Sequence, residues 1–348
     1  MRDDCAHMTN QRIPSLDGLR ALAILMVVVS HSNGAPGFAN FSPSTSVLLG
    51  DTGVRIFFVI SGFLITTLLV DERSRTGDIR LARFYTRRVF RIFPPFYFFL
   101  GGLAVGSRLG WIVLQKLDIV KAALYLVDYC PWDSTSNFVR HIWSLSVEEQ
   151  FYLIWPLALW WGGGKARWSV VAGAVILSPV WRLVVLQFLP AEVLTIDRRF
   201  DCVADSLAVG CLLALLKERN YLSRYDKVIR SDWMHFAPLV VICAAATASH
   251  PHAYYGFFDS VTNVGIALYM YRCIICEPRL LNIGWVRQIG LMSYSIYLWQ
   301  QVFCSGQEGM RRLPSYYAIP ITIAIAITSF YFVERPMQRF GRRIATRM

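Results

Sequence analysis

The first apolar run of the chain carries an arginine and a histidine eleven residues apart, Arg20 and His31. At about 100° per residue this spacing returns to nearly the same helix face after three turns, about 16 Å further along the axis. A fixed cation and an imidazole therefore share one stripe, and Asp17, three residues before Arg20, can pair with it. An imidazole can act as a general base when a carboxylate orients the ring and stabilises the imidazolium formed on proton abstraction. Candidate carboxylates are Glu148 and Glu149, which open a later apolar run in His141-Ile-Trp-Ser-Leu-Ser-Val-Glu-Glu-Gln-Phe-Tyr152. The plainer reading is that Arg20 reaches up to headgroups and that His31 caps its helix or bonds a neighbour.

A second group of residues could hold phosphate. Phe84-Tyr-Thr-Arg-Arg-Val-Phe-Arg-Ile-Phe-Pro-Pro95 places Arg87, Arg88 and Arg91 among aromatics, the pattern of an interfacial amphipathic helix. Guanidinium groups grip phosphate in a bidentate fashion, although anchoring on the inner side of a membrane accounts for the same charge. Asp201 and Asp205 stand one turn apart after Arg198 and Arg199, a spacing suited to ion pairs that seal a bundle. Tyr294, Trp299, Gln300 and Gln301 read as interhelical packing and hydrogen bonding. Cys273 and Cys276 form a C-x-x-C with apolar residues between them and no second pair, which favours lipid-buried thiols over a metal site.

These residues must be positioned by helices in lipid. The chain has 348 residues, is 55% hydrophobic and has a mean hydropathy of +0.42, which sets it apart from soluble domains. Its apolar runs match the roughly 20 residues a helix needs to cross hydrocarbon, so the fold class is all-α, a polytopic transmembrane bundle. Ten segments fit: Leu16–Phe38, Thr52–Val70, Phe93–Val105, Ser144–Trp161, Trp168–Phe188, Cys202–Leu216, His235–Ser249, Phe258–Cys276, Ile289–Cys304 and Tyr316–Val333. Trp111 to Val127 competes as a span, but Lys116, Asp118 and Lys121 suit an interfacial helix better.

The net charge of +12 collects in particular loops, so membrane topology explains it without nucleic acid. Arginines fill the connection between the second and third segments, and basic residues recur between the sixth and seventh and in the tail from 334 to 348. The alternate loops are poor in Lys and Arg, which puts both termini in the cytoplasm. The start of the chain, Met1 to Ile13, reads as a cytoplasmic tail followed by an uncleaved anchor. With no repeat or soluble insertion, residues 1–348 form a single domain; nothing specifies an oligomeric state.

Several blocks resemble the integral-membrane acyltransferase type 3 family: Leu16-Asp-Gly-Leu-Arg-Ala-Leu-Ala23 with His31, Gly53-Val-Arg-Ile-Phe-Phe-Val-Ile-Ser-Gly-Phe-Leu-Ile65, Phe84 to Ile92, Trp143 to Tyr152, Ser293 to Trp299, and Val333-Glu-Arg-Pro336. The resemblance implies an O-acyltransferase of the bacterial cytoplasmic membrane, with acyl-CoA, expected to be acetyl-CoA, as co-substrate and no metal. The acceptor would be a carbohydrate or glycolipid. It implies that Arg20 and His31 are the leading functional pair, with Glu148 or Glu149 in support and Arg87, Arg88 and Arg91 near the phosphates of the cofactor. Two positions depart from the family pattern: Gln300 stands where many members have His, and Arg55 where many have Asp. Some members carry an esterase-like SGNH domain; the sequence ends at Met348, so such a partner enzyme would be separate.

The expected mechanism is direct transfer, in which His31 takes the proton of an acceptor hydroxyl that attacks the thioester. Ser61 or an arginine would steady the oxyanion, and a covalent acyl-His intermediate is the variant route. A transporter or flippase of lipid-linked sugars would also carry intramembrane charge, but no paired halves with interrupted helices are visible.

Overall fold

The computed structural model describes residues 13–246, 254–305 and 313–348. The tail expected over 1–13, the end of the seventh segment and the loops at 250–257 and 306–315 fall wholly or partly outside them. The main helices are α1 (Pro14–Ser32), α2 (Pro43–Thr76), α3 (Leu81–Arg108), α4 (Ile142–Phe188), α5 (Phe200–Glu218), α6 (Ala237–Ala246), α7 (Asp259–Cys276), α8 (Gly284–Cys304), α9 (Ser315–Ser329) and α10 (Arg335–Arg347). A single π turn, Phe330–Glu334, joins the last two. Among the described residues every regular element is helical, and five stretches are long and apolar enough to cross a membrane: Pro14–Ser32, Pro43–Thr76, Leu81–Arg108, Arg167–Phe188 and Ser315–Arg347.

Hydrocarbon inverts the usual burial pattern, because it accepts apolar side chains and penalises charge. Leu25, Ile154, Leu177 and Phe332 are exposed, whereas Asp17, Arg55, Arg182 and Asp205 are buried. α1 lies between α2 and α8. It runs antiparallel to α2, with Ser30 bonded to Ser46, and parallel to α8, with Asp17 against Gly290 and His31 bonded to Gln300. The centre of the bundle is therefore the helix that carries Arg20 and His31.

Two segments differ from expectation. The arginine-rich stretch is not a separate interfacial helix: Leu81–Arg108 is continuous through Pro94 and Pro95 and carries the arginines into the bundle. The fourth and fifth segments belong to the 47-residue α4, which would be about 70 Å long if straight. It is not straight. Glu148 bonds to Ser61 and Arg182 to Asp205, whose neighbour Ser206 meets Arg55, only six residues from Ser61 on α2. A straight helix would hold Glu148 and Arg182 about 50 Å apart, so the chain folds back between them. Arg73 to the Leu159 carbonyl and Arg167 to Glu218 mark the level of the reversal.

One side of the bundle is closed by paired charge. Arg182 makes two hydrogen bonds to Asp205, at 3.0 and 3.1 Å, and also reaches Ser260 and the Cys202 carbonyl. Arg55 pairs with Asp51 at 2.7 Å and with Asp259 at 2.8 Å, and bonds to Asn263. The cation at position 55 is thus balanced by a carboxylate on α7. Asp201 pairs with Arg199, one of the two arginines that precede it, and also accepts from Trp181. Breaking such a buried pair would leave a charge uncompensated.

Glycines let the helices carrying the polar groups approach closely. A Cβ on Gly62 would stand 2.0 Å from the Leu207 carbonyl oxygen, and one on Gly210 would stand 2.1 Å from that of Val59. Backbone cannot yield as a flexible side chain can. Gly62→Ala or Gly210→Ala should destabilise the fold by about 1–3 kcal/mol and lower the thermal midpoint of the detergent-solubilised protein by several degrees. Gly101→Ala, where a Cβ would meet nothing within 4 Å, should not lower it. Equal losses at all three positions would contradict this packing.

Candidate active site

Four helices bring their polar residues to one cleft. Arg20 comes from α1, Ser61 from α2, Arg88 and Arg91 from α3, and Glu148, Glu149 and Tyr152 from α4. α8 closes it with Ser293, Tyr294 and Tyr297, and the volume is about 820 Å³ counting its open mouth. The fold-back of α4 keeps its first half alongside α2, which is why Glu148 meets Ser61. The Tyr152 hydroxyl donates to Ser61 at 3.0 Å, and the Ser61 hydroxyl donates to Glu148 at 2.6 Å. Arg88 lies over the Tyr152 ring, 4.5 Å from its centre, a cation–π contact that fixes the guanidinium inside the bundle. Arg20, Arg88 and Arg91 are all electrostatic neighbours of Glu148.

Arg20 is half-buried and its Nε has no hydrogen-bond partner among the described residues. Asp17 and Glu148 are its anionic neighbours and Arg91 its cationic one. The cluster of Arg20, Arg88 and Arg91 against Glu148 and Glu149 is therefore not arranged as closed ion pairs, unlike Arg182 with Asp205. Polar atoms left open towards a cleft are available to a ligand.

His31 has a different neighbour from the one expected. Its Nδ1 lies 2.8 Å from Oε1 of Gln300, and among the described residues no carboxylate bonds to it. Donation from Nδ1–H to the amide oxygen leaves Nε2 as the basic nitrogen. The physical reason lies in the pitch of α4. The residue of that region that reaches the level of His31 is His141, and Glu148 is seven residues, about 10 Å, further on at the level of Arg20. Sequence spacing placed Arg20 and His31 on one stripe, and the structure gives each its own set of partners.

The two levels are nevertheless adjacent. The cleft ends at Ser144 and Tyr297, whose hydroxyl oxygens are 2.6 Å apart. Ser144 is one turn from His141 and Tyr297 one turn from Gln300. Tyr297 also donates to the His141 carbonyl at 2.8 Å. Around this end several buried groups make no hydrogen bond of normal geometry: both ring nitrogens of His141, Nε1 of Trp299, Nε2 of Gln300 and Oγ of Ser32. Buried polar atoms are normally paired with protein or ordered water, so among the described residues this concentration makes the end of the cleft a candidate place for a bound molecule.

Of the three arginines expected near phosphate, Arg88 and Arg91 line this cleft. Arg91 and Arg20 also line a second, more basic cleft beside it. Arg87 lines neither and has Glu72 as its anionic neighbour. His141, Tyr152 and Tyr297 were not singled out by sequence reasoning; they lay inside motif blocks with nothing to show which way they faced. Gln300 was read as interhelical hydrogen bonding and as a departure from the family pattern, but not as the partner of His31. Among the described residues no group of three or more His, Cys, Asp or Glu side chains converges on a metal position.

The model of a family described as acyltransferase domain matches residues 13–333, and the chain belongs to that family. It is 28% identical to a putative peptidoglycan O-acetyltransferase of Bacillus subtilis over 96% of this chain and 56% of the relative. It is 29% identical to the peptidoglycan O-acetyltransferase OatA of Listeria monocytogenes over 94% of this chain and 56% of that protein. The O-acetyltransferase OatA of Staphylococcus aureus is 28% identical, with 58% of its length covered. The chain thus spans little more than half the length of these curated relatives. No solved structure matches it.

Gln300→Leu removes the one acceptor that holds Nδ1 of His31. Loss of such a buried hydrogen bond costs about 1–3 kcal/mol, so acyl transfer should fall about ten- to hundredfold while the protein still folds. Gln300→Glu, which keeps an acceptor, should lose less. Initial rates with a saturating acyl donor would show this, and full activity in Gln300→Leu would remove Gln300 from the site.

Proposed function

We propose that this protein is an O-acyltransferase of the bacterial cytoplasmic membrane that moves an acetyl group from acetyl-CoA to a carbohydrate hydroxyl. One observation carries this reading: the polar cleft that is lined by Arg20 also reaches Tyr297, one helical turn from Gln300, the partner of His31. The names of the relatives support an acetyl group and a glycan acceptor, with peptidoglycan the acceptor they specify. Ten crossings with both termini in the cytoplasm fit the distribution of basic residues, and the tail from 334 to 348 then lies on the side from which the donor arrives.

In this mechanism the donor lies along the stripe of α1, with its phosphate end on the Arg20 side and its thioester towards His31. Nε2 of His31 removes the proton of the acceptor hydroxyl, and the oxygen attacks the thioester carbonyl. The tetrahedral intermediate collapses, the C–S bond breaks, and CoA leaves as the thiolate, which takes a proton from the imidazolium. Gln300 holds the ring in the reactive tautomer, and donors at the Ser144–Tyr297 end steady the oxyanion. Ser61 is committed to Glu148 and serves the cluster by orienting that carboxylate. Arg20, Glu148 and Glu149 fix the charge environment of the donor's path. We read residues 1–348 as one unit.

Purified protein in lipid nanodiscs, given acetyl-CoA labelled in the acetyl group and a muropeptide or oligosaccharide acceptor, should move the label to the sugar. His31→Ala should reduce that transfer by about 10²–10⁴-fold, the usual worth of a general base, without loss of folded protein. Label that stays on CoA in the wild type would point to a transporter, and normal turnover by His31→Ala would remove the imidazole from the mechanism.

A further inference from the structure

The C-terminal helix is fixed, although its composition resembles that of a loose basic tail. After the π turn, α10 packs on α3: Gly341 lies against Phe90, the Phe90 and Phe340 rings are 5.3 Å apart edge to face, and Arg83 donates to the Ala345 carbonyl at 3.1 Å. Held this way, α10 presents Arg335, Arg339 and Arg342 at positions i, i+4 and i+7, one stripe of the helix. They line a recessed cleft of about 1410 Å³ counting its open mouth, and Arg20 and Arg91 line it too.

The charge of this cleft is unbalanced. Five arginines line it with one carboxylate, Glu334. That carboxylate is already engaged, accepting from Ser295 at 2.6 Å and from Gln338 at 2.9 Å. Among the described residues, no carboxylate within 4.0 Å pairs with Arg91, Arg335, Arg339 or Arg342. Guanidinium groups gathered in this way repel one another until an anion with several oxygens joins them. A flat basic face would suit lipid headgroups. This surface instead recedes between α3, α8 and α10 and shares Arg20 and Arg91 with the inner cleft.

We infer that the stripe Arg335, Arg339 and Arg342, with Arg91 opposite, is the docking site for the phosphates of a phosphorylated nucleotide, the adenosine end of the acyl-CoA donor. The inference rests on the acyl-transfer reading for the identity of that nucleotide. Arg20 and Arg91 mark the junction at which the uncharged arm of the donor passes into the inner cleft towards His31. The phosphate contacts are thereby moved from the arginine-rich start of α3 to the C-terminal helix, with Arg91 common to both.

The test compares two donors in two lipids, with adenosine 3′,5′-bisphosphate as the binding probe. Arg339→Gln/Arg342→Gln should raise KM for acetyl-CoA at least tenfold. With the acetyl thioester of N-acetylcysteamine, which has no phosphate, it should change KM less than twofold. The bisphosphate should bind the wild type and bind this variant at least tenfold more weakly, equally in phosphatidylcholine and phosphatidylglycerol nanodiscs, and Arg339→Lys/Arg342→Lys should recover part of the loss. Equal effects on both thioesters would overturn the site, and effects confined to phosphatidylglycerol would reassign it to headgroups. If the wild type binds the bisphosphate through these arginines but transfers no acetyl group, the docking site stands and the acyl-transfer reading fails. Wild-type transfer with unchanged variants has the opposite meaning.

Discussion

Lipid gives charged side chains no solvent, so this bundle must supply partners for every charge it places at its centre. An ionisable group in a spanning helix costs about 2.5–3.5 kcal/mol on insertion scales. The chain meets that cost in two ways. Around Arg182, Asp205, Arg55 and Asp259 it builds close ion pairs with hydroxyl and amide support, which join α2, α4, α5 and α7. Around Arg20, Arg88, Arg91, Glu148 and Glu149 it gathers both signs of charge without closing them into pairs, and leaves a cleft. The first arrangement is structural, and the second is what a binding site needs.

The family then gives that cleft a chemical meaning. An acyltransferase must bring an acyl donor and an acceptor together; in the proposed reaction these are a thioester and an alcohol, and one proton must be removed. A bundle whose central helix carries a cation at one level and an imidazole at the next can divide these tasks along its length. The helix dimensions set the order: the basic cleft shares Arg20 and Arg91 with the inner cleft, and the inner cleft reaches Tyr297, one turn short of Gln300, to which His31 is bonded. Binding, passage and proton transfer would then occur at successive levels of one path.

Much of this was legible in the sequence because helical periodicity is local. The all-helical class follows from apolar run length, and Arg20 and His31 share a stripe whatever surrounds them. That Asp201 and Asp205 pair with arginines was legible too, although the partner of Asp205, Arg182, was not. What could not be read was set by tertiary packing. The fold-back of α4 depends on which faces meet α2 and α5. The partner of His31 depends on α8, 269 residues away, and was a residue whose type looked like a departure. The carboxylates were candidates for His31 because they open an apolar run, and the start of a run does not fix the 10 Å or so that separates two turns of a helix. The arginines of α10 carried an adequate explanation as inner-side anchors, and only the contact with Phe90 shows that they are held over a cleft.

The most direct measurement is the position of a bound, unreactive donor. A structure with a carba analogue of acetyl-CoA, in which a methylene replaces the thioester sulfur, should show the arm of the donor passing between Arg20 and Arg91. Its carbonyl should lie between the Ser144–Tyr297 pair and Nε2 of His31. A carbonyl lodged against the lipid-facing surface, or held two turns away with no opening towards His31, would contradict a reaction centred on that imidazole.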